Sequence, residues 1–318
     1  MAATVYTGVN YRTVQADHVA AEMPSQAQLV AAGAVRVDPS PPFRAQGGIT
    51  FEVPHWLELT TADAAPTAAT DATLGAISDF KDVGVICQRQ LPVGVERSVI
   101  LALGDQPIGE EILSQVPSYW SKRMQVALYN VLKGGFASAM SGSQFVKDFA
   151  TPMSGVTVAD IINLDCVGDQ WDQFKVWVMS PKQFGQLVDG SLISYVNAGA
   201  FGERLLQTGK IPTFLGKQVV FDGNIVETDG STYLLKPNAM YLGLQSDPGV
   251  EYERKATLAG GTDAYMFQAA FMPHLFGLTY AGAAKPENTT LATGGSWTLS
   301  QSSDYQLHKA VKIKFTNT

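Results

Sequence analysis

The chain has 318 residues, of which 46% are hydrophobic and only 16% charged, and a net charge of −7. A chain of this length can bury roughly 75% of its unfolded surface, but its charged share falls well below the roughly 25% of ordinary soluble domains. The acidic balance, with no Lys/Arg run longer than two residues and no basic stripe interleaved with aromatics, excludes a phosphate-neutralising nucleic-acid groove. A surface made mostly of Gly, Ala, Ser, Thr, Gln and Asn suits a loop-rich globule. It also suits extensive subunit contact, because interface cores are depleted in charge.

No run approaches about 18 consecutive apolar residues, so no helical membrane span is expected. The first residues, MAATVYTGVNYRTVQADHVA, show no charged leader followed by an apolar stretch, so no signal peptide is expected and synthesis is placed in the cytoplasm. Residues 1–46 read as an extended arm. A short helical pattern at Gln26–Ala34 is ended by the prolines of VDPSPPF.

Two strand-like runs follow, Ile49–Leu59 and Asp82–Leu91, separated by the bland segment TTADAAPTAATDATLGAISDF, which has no Lys or Arg. The first run alternates, with Ile49, Phe51, Val53, His55, Leu57 and Leu59 on one side. In the second, Val83, Val85 and Cys87 share a face. The pair reads as a long two-stranded hairpin with a loose tip. Such a hairpin is marginal in water and its edges invite pairing, so it is expected to rest on a neighbouring chain.

A long helix is expected over Pro107–Met140, because Ile112, Val116, Trp120, Met124, Leu128 and Val131/Leu132 recur at helical spacing. Asp105 is its candidate cap, with Glu110 and Glu111 in the first turn. Pro117 marks either the start of the main helix or a kink, and Gly134–Gly135 its end or a second break. Residues 141–224 then read as α/β, with helices at Val158–Leu164 (capped by Thr157), Pro181–Val188 and Leu192–Val196, and strands at Lys175–Met179 and Gln218–Phe221. Residues 225–280 alternate short strands and turns, and the chain closes on a strand at Ala310–Phe315. No repeat of 20–50 residues is visible.

The chemistry-bearing residues are sparse. His18, His55, His274 and His308 have neither HExxH spacing nor another ligand type at short range, and read as core or interface histidines. Cys87 and Cys166 stand in unrelated contexts with no CxxC and read as buried free thiols. Asp160, Asp165, Asp169 and Asp172 lack the order of a calcium loop and read as loop and cap residues. There is no GxSxG elbow, Walker A loop or GxGxxG after a strand. No catalytic residue, metal ligand or cofactor is therefore assigned. Lys81, the only lysine between residues 45 and 121, is the weak candidate for a covalent cross-link and lies at the base of the hairpin.

The order of these elements resembles the HK97-like fold of tailed-bacteriophage major capsid proteins. The segments that carry the resemblance are GGITFEVPHWLEL, KDVGVICQRQL, YWSKRMQVALYNVLKGGFA, WVMSPKQFGQLVDGSLISYV, IPTFLGKQVVFDG, VEYERKATLAGGTDAYMFQAAFMPHLFGLTYAG and the terminal KIKFTNT. It implies an α+β architecture with an N-arm (1–46), an E-loop hairpin (47–105), the spine helix of a peripheral P domain (106–140), an axial A domain (141–235), and return strands completing the A and P domains (236–318).

The resemblance also implies a structural protein, not an enzyme. It would self-assemble as pentamers and hexamers into an icosahedral head, enclosing double-stranded DNA without sequence-specific binding. Its candidate partners are a separate scaffolding protein, a portal and a decoration protein; its location would be the virion after assembly in the bacterial cytoplasm. Trp56, Leu57, Pro54 and Arg89 are the candidate intersubunit contacts, Trp56 foremost because tryptophan is enriched at interface hot spots. An encapsulin-like compartment is the alternative on the same fold. An α/β hydrolase is the alternative from a different class, and would require a nucleophile–base pair that the sequence does not show.

Overall fold

The computed structural model describes residues 28–38, 50–56, 79–96, 108–149, 151–197, 210–225, 230–244, 249–255, 261–300 and 308–316. Among these, the strands form three sheets arranged around one long helix, two large apolar cores and a small third cluster at Phe51, Tyr241 and Met272.

The long helix, α2, runs over Ile108–Ala137, about 45 Å at 1.5 Å per residue; α1 is the short turn Gln28–Ala31. Pro117 lies inside α2 and is buried there, so it neither starts nor ends the helix. The apolar stripe read from the sequence is the buried one: Val116, Trp120, Met124, Leu128, Val131 and Leu132 are each 3% exposed or less. Six such side chains, at about 1.5–3 kcal/mol each for full burial, outweigh the cost of one proline, about 3 kcal/mol in a helix interior.

The Gly134–Gly135 pair does not break the helix; it is where the helix is touched most closely. A Cβ on Gly134 would stand 2.1 Å from the Leu291 carbonyl oxygen and 2.7 Å from Trp297 Nε1, and one on Gly135 would stand 2.6 Å from the Leu278 side chain. That carbonyl accepts a 2.8 Å hydrogen bond from Trp297 Nε1, so it has little room to give. Gly134→Ala gains about 1 kcal/mol of helix propensity but should still destabilise the fold by about 1–2 kcal/mol through overpacking. Urea unfolding measures this, and a variant more stable than the parent would refute the packing role.

The first sheet joins β1 (Val35–Asp38), β4 (Cys87–Glu96), β11 (Met240–Leu244), β12 (Gly249–Lys255) and β13 (Thr262–Leu275). The 14-residue β13 is its axis: β4 lies along one edge, while β12 and then β11 occupy the other, all antiparallel to it. β1 adds to β11 in parallel, so this part of the N-terminal region is built into the chain's own core, with Leu29, Ala34 and Val35 buried.

The second sheet has seven strands in the order β5 (Val146–Asp148), β16 (Ala310–Lys314), β10 (Ser231–Leu235), β6 (Val176–Met179), β9 (Lys217–Phe221), β8 (Lys210–Phe214), β7 (Ser194–Asn197). Its central strands are apolar on both faces because both faces are covered. Val176, Val178, Tyr233 and Leu235 belong to the core around α2. Their neighbours Trp177, Met179, Leu234, Val311 and Ile313 belong to the second core, formed with α3 (Val158–Ile162) and α4 (Pro181–Asp189). Both short helices carry capping boxes, Thr157 with Asp160 and Ser180 with Gln183. The hydrogen bonds from Thr157 lower the Asp160 carboxyl below its ordinary range.

Leu192–Val196, expected to be helical, contributes strand β7 instead. Its five residues do not distinguish helix from strand by themselves; pairing with β8 through Ser194↔Thr213 to Asn197↔Lys210 decides it. The turn expected at Phe214–Lys217 is present, with Leu215 and Gly216 both left-handed (φ 50° and 77°), as a two-residue hairpin loop requires.

The third sheet holds β2 (Thr50–Trp56), β3 (Asp79–Val85), β14 (Leu278–Tyr280) and β15 (Trp297–Leu299), with β2 at its edge. Here the expected hairpin is corrected. Thr50–Trp56 pairs antiparallel with Asp79–Val85, from Thr50↔Val85 to Trp56↔Asp79. After Ile86 the chain leaves that ladder, and Cys87–Glu96 pairs with β13 of the same chain. The second run is therefore two strands in two sheets, and its Cys87–Leu91 half is anchored in the subunit's own body. The strand edge of β13 supplied a partner that local sequence could not specify.

Candidate intersubunit site

The β2–β3 hairpin is a two-stranded ribbon whose β2 edge, among the described residues, has no further strand beside it. Its outward end is the Trp56↔Asp79 pair, and residues 57–78 lie outside the described residues. An open strand edge invites pairing with another chain.

The root of the ribbon is fixed by three devices. The first is an aromatic laid over a glycine. Phe51 is paired with Gly84 across the ladder, and a Cβ on Gly84 would stand 2.2 Å from the Phe51 ring. Phe51, 2% exposed, packs with Tyr241 and Met272.

The second is the buried carboxylate of Asp82, 0% exposed. Its Oδ2 accepts a 2.8 Å hydrogen bond from the Gly277 N–H, and its Oδ1 accepts from the Ser300 hydroxyl. His274 Nε2 stands 3.5 Å away, an ion pair whenever the ring is protonated. Phe51 meets that imidazole edge-on at a centroid distance of 5.7 Å.

The third is Gly277, left-handed at φ 90°, in the tight turn between β13 and β14. A Cβ there would stand 2.3 Å from the His308 ring. Together these tie the hairpin to β13, β14 and the segment after β15.

The surroundings are chemically quiet. Burial pushes the Cys87 and Cys166 thiols up to about 11, against the lowering influence of Arg89 on Cys87; both are buried free cysteines, and a thiol protonated at neutral pH is a poor nucleophile. Burial lowers the Lys309 ammonium, with Arg36 adding to the shift and Asp82 opposing it. Among the described residues no group of three His, Cys, Asp or Glu side chains is placed to hold a metal ion.

No protein-family model matches the chain. Over 272 residues, 80% of this chain and 80% of the other, it is 24% identical to the major capsid protein of Bacillus phage SPP1. Its structure superposes on that of the Helicobacter pylori bacteriophage KHP40 head with a TM-score of 0.56 at 8% identity, covering 92% of this chain and 91% of that one. It superposes on the capsid of Ralstonia phage GP4 with the same TM-score, 0.56, at 11% identity, covering 83% and 92%. The chain has the HK97-like capsid fold. The resemblance to phage major capsid proteins holds in both sequence and architecture.

On the HK97-like fold the four residues singled out in the sequence occupy two different places. Pro54 and Trp56 lie on β2, opposite Lys81 and Asp79. Leu57 lies outside the described residues. Arg89 is not on the hairpin at all. It sits on β4, donating through Nη2 to the Pro286 carbonyl at 2.7 Å and to Asn288 Oδ1 at 3.2 Å. Lys81 forms an exposed 2.7 Å ion pair with Glu52 across the ladder, of the kind that adds little stability.

Sequence reasoning missed the root itself. Asp82 opens a strand-like run that also carries Arg89, and its partners His274, Gly277 and Ser300 lie some two hundred residues away. His308, read as a core or interface histidine, is 4% exposed and meets Phe145 edge-on at 4.6 Å.

Proposed function

We propose that this chain is the major capsid protein of a tailed bacteriophage, self-assembling as pentamers and hexamers into an icosahedral head that encloses double-stranded DNA. The observation that carries this is the β2–β3 ribbon, tied to the body at Asp82 and with no further strand beside β2 among the described residues, on an HK97-like fold. A ribbon that is marginal alone and tied down at one end is suited to lie across a neighbouring subunit, where strand-edge hydrogen bonds and apolar anchors such as Trp56, Leu57 and Pro54 supply the contact.

In this reading residues 1–46 are the N-arm, 47–105 the E-loop, 106–140 the spine-helix region of the P domain, 141–235 the A domain, and 236–318 the return strands. The role is structural, with the virion as its location. A scaffolding protein, a portal and a decoration protein are the partners such a shell would engage. The net charge of −7 suits a shell that surrounds DNA without gripping its phosphates.

Negative-stain electron microscopy of the purified chain tests the reading. Closed icosahedral particles are the expected result, and a small monodisperse species that never forms shells would overturn it.

A further inference from the structure

Along one edge β4 pairs with β13; among the described residues no strand lies along its other edge. Between β4, α2 and the segment that follows β14 lies an open cleft of about 580 Å³. Its lining holds three cations, Arg89, Arg123 and Lys285, against one acid, Glu287. On a chain of net charge −7, this local excess of positive charge departs from the average surface. The cations come from three elements. Arg89 shares its face of β4 with Cys87 and Leu91, which join the core around α2. Arg123 lies on that same helix, and Lys285 follows β14.

The three cations lack acid partners. Elsewhere on the surface Lys81 pairs with Glu52, Arg254 with Asp263 and Lys255 with Glu253. Among the described residues, none of Arg89, Arg123 and Lys285 forms an ion pair with Glu287 or any other carboxylate. Arg89 is half-buried, yet its guanidinium donates only to neutral oxygens. These are the Gln88 carbonyl at 3.0 Å, the Pro286 carbonyl at 2.7 Å and Asn288 Oδ1 at 3.2 Å. The three bonds fix the group, tie the 285–289 segment to β4, and leave further N–H donors of the guanidinium unused. Arg123 is held 5.6 Å from the centre of the Tyr119 ring, and Lys285 sits left-handed, at φ 53°, beside the buried Pro286. A half-buried charge with no counter-charge is costly, so the cleft favours an anion that supplies one.

We propose that this cleft binds a small phosphate-bearing anion of the diphosphate class, with Arg89, Arg123 and Lys285 neutralising its charge. Arginine forks match phosphate oxygens two at a time, and a lysine adds a point charge. A single carboxylate would engage one fork and leave the other cations unmatched. A phosphate group takes donors from several directions, and β4, α2 and the 285–289 segment supply them, with the neutral donors Gln88, Gln90 and Thr289 in the same lining. The volume falls within the range of small-ligand sites, about 300–1,000 Å³. A DNA duplex is not the occupant, because its phosphates call for a stripe of bases along the backbone, and here the charge is gathered in one place. The ligand would join three elements of one subunit, so binding should also stabilise the fold by mass action. The inference goes beyond the proposed function and does not depend on whether shells form.

Isothermal titration calorimetry of pyrophosphate into the purified full chain, without divalent cations, tests it. Saturable binding is expected, and R123Q/K285Q should weaken it by at least about tenfold. Glu287→Gln removes the one competing acid and should tighten it by about threefold. All three residues are exposed, so far-UV circular dichroism of both variants should match the parent. If R123Q/K285Q misfolds, K285Q alone replaces it, with a loss of about threefold expected. ADP is the second arm: tighter binding than pyrophosphate identifies a nucleotide as the source of the phosphates, and equal or weaker binding identifies a free oligophosphate. No saturation up to about 10 mM pyrophosphate, or an affinity that these variants leave unchanged, would overturn the proposal. So would a short DNA duplex that binds through Arg123 and Lys285 and is not displaced by pyrophosphate. Pyrophosphate binding by a chain that never forms shells would sink the capsid reading and leave this site standing; shells that bind no pyrophosphate would do the opposite.

Discussion

Asp82→Ala should lower the unfolding free energy by about 3–5 kcal/mol, among the largest losses expected for any single substitution in this chain. The carboxylate is fully buried, so its two hydrogen bonds, from the Gly277 N–H and the Ser300 hydroxyl, have no water to replace them. Its removal also leaves His274 Nε2, now 3.5 Å from Oδ2, facing an empty space. Asp82→Asn keeps the volume and an acceptor oxygen, and should cost less, about 1–2 kcal/mol. Urea unfolding followed by tryptophan fluorescence gives both numbers. An alanine variant within about 1 kcal/mol of the parent would show that the root is held by packing of Phe51 on Gly84 and not by the carboxylate.

Deleting Thr61–Ala76, in the segment joining β2 to β3, should leave a subunit that folds as stably as the parent but assembles at least about tenfold less. The two ladders that anchor the hairpin, β2 on β3 and β3 on β14, lie outside the deletion. Shortening a connecting segment changes closure entropy only slowly, by about 0.6 kcal/mol per halving. Loss of assembly with unchanged unfolding would place the function of this segment between subunits, as the proposed role requires. Particles formed at parental yield would refute it as a strap.

These two expectations divide the hairpin into a part that serves its own chain and a part read as serving another. Phe51, Asp82 and Val85 are each no more than 2% exposed, whereas the outward half of β2 has only β3 beside it in the sheet.

Much of the body was legible in the sequence because its signals are local and periodic. The stripe Val116–Trp120–Met124–Leu128–Leu132 gave the long helix and its buried face. The run VWVM gave a strand covered on both sides, and the structure covers it with two cores. Thr157 marked a helix start by its capping chemistry.

The misreadings share one cause. Asp82–Leu91 reads as one hairpin strand because its alternation continues unbroken through Ile86; the partner changes from β2 to β13, and alternation carries no information about partners. Gly134–Gly135 reads as the helix end or a second break because glycine is a poor helix former; its reason is the Leu291 carbonyl that approaches from beyond the helix. Leu192–Val196 reads as a helix because five residues fit either period, and β8 settles it.

By itself, the sequence determined what depends on neighbours in the chain: helix faces, strand runs, caps, a low-charge surface and the order of elements that resembles the HK97-like fold. Only the tertiary structure decided which strand pairs with which and where a buried carboxylate finds its donors. Asp82 and Gly277, or Arg89 and Asn288, are separated by nearly two hundred residues. Nothing in the local pattern at either end specifies such a meeting; it exists because burying the α2 stripe and closing the β13 ladder bring the two stretches of backbone together.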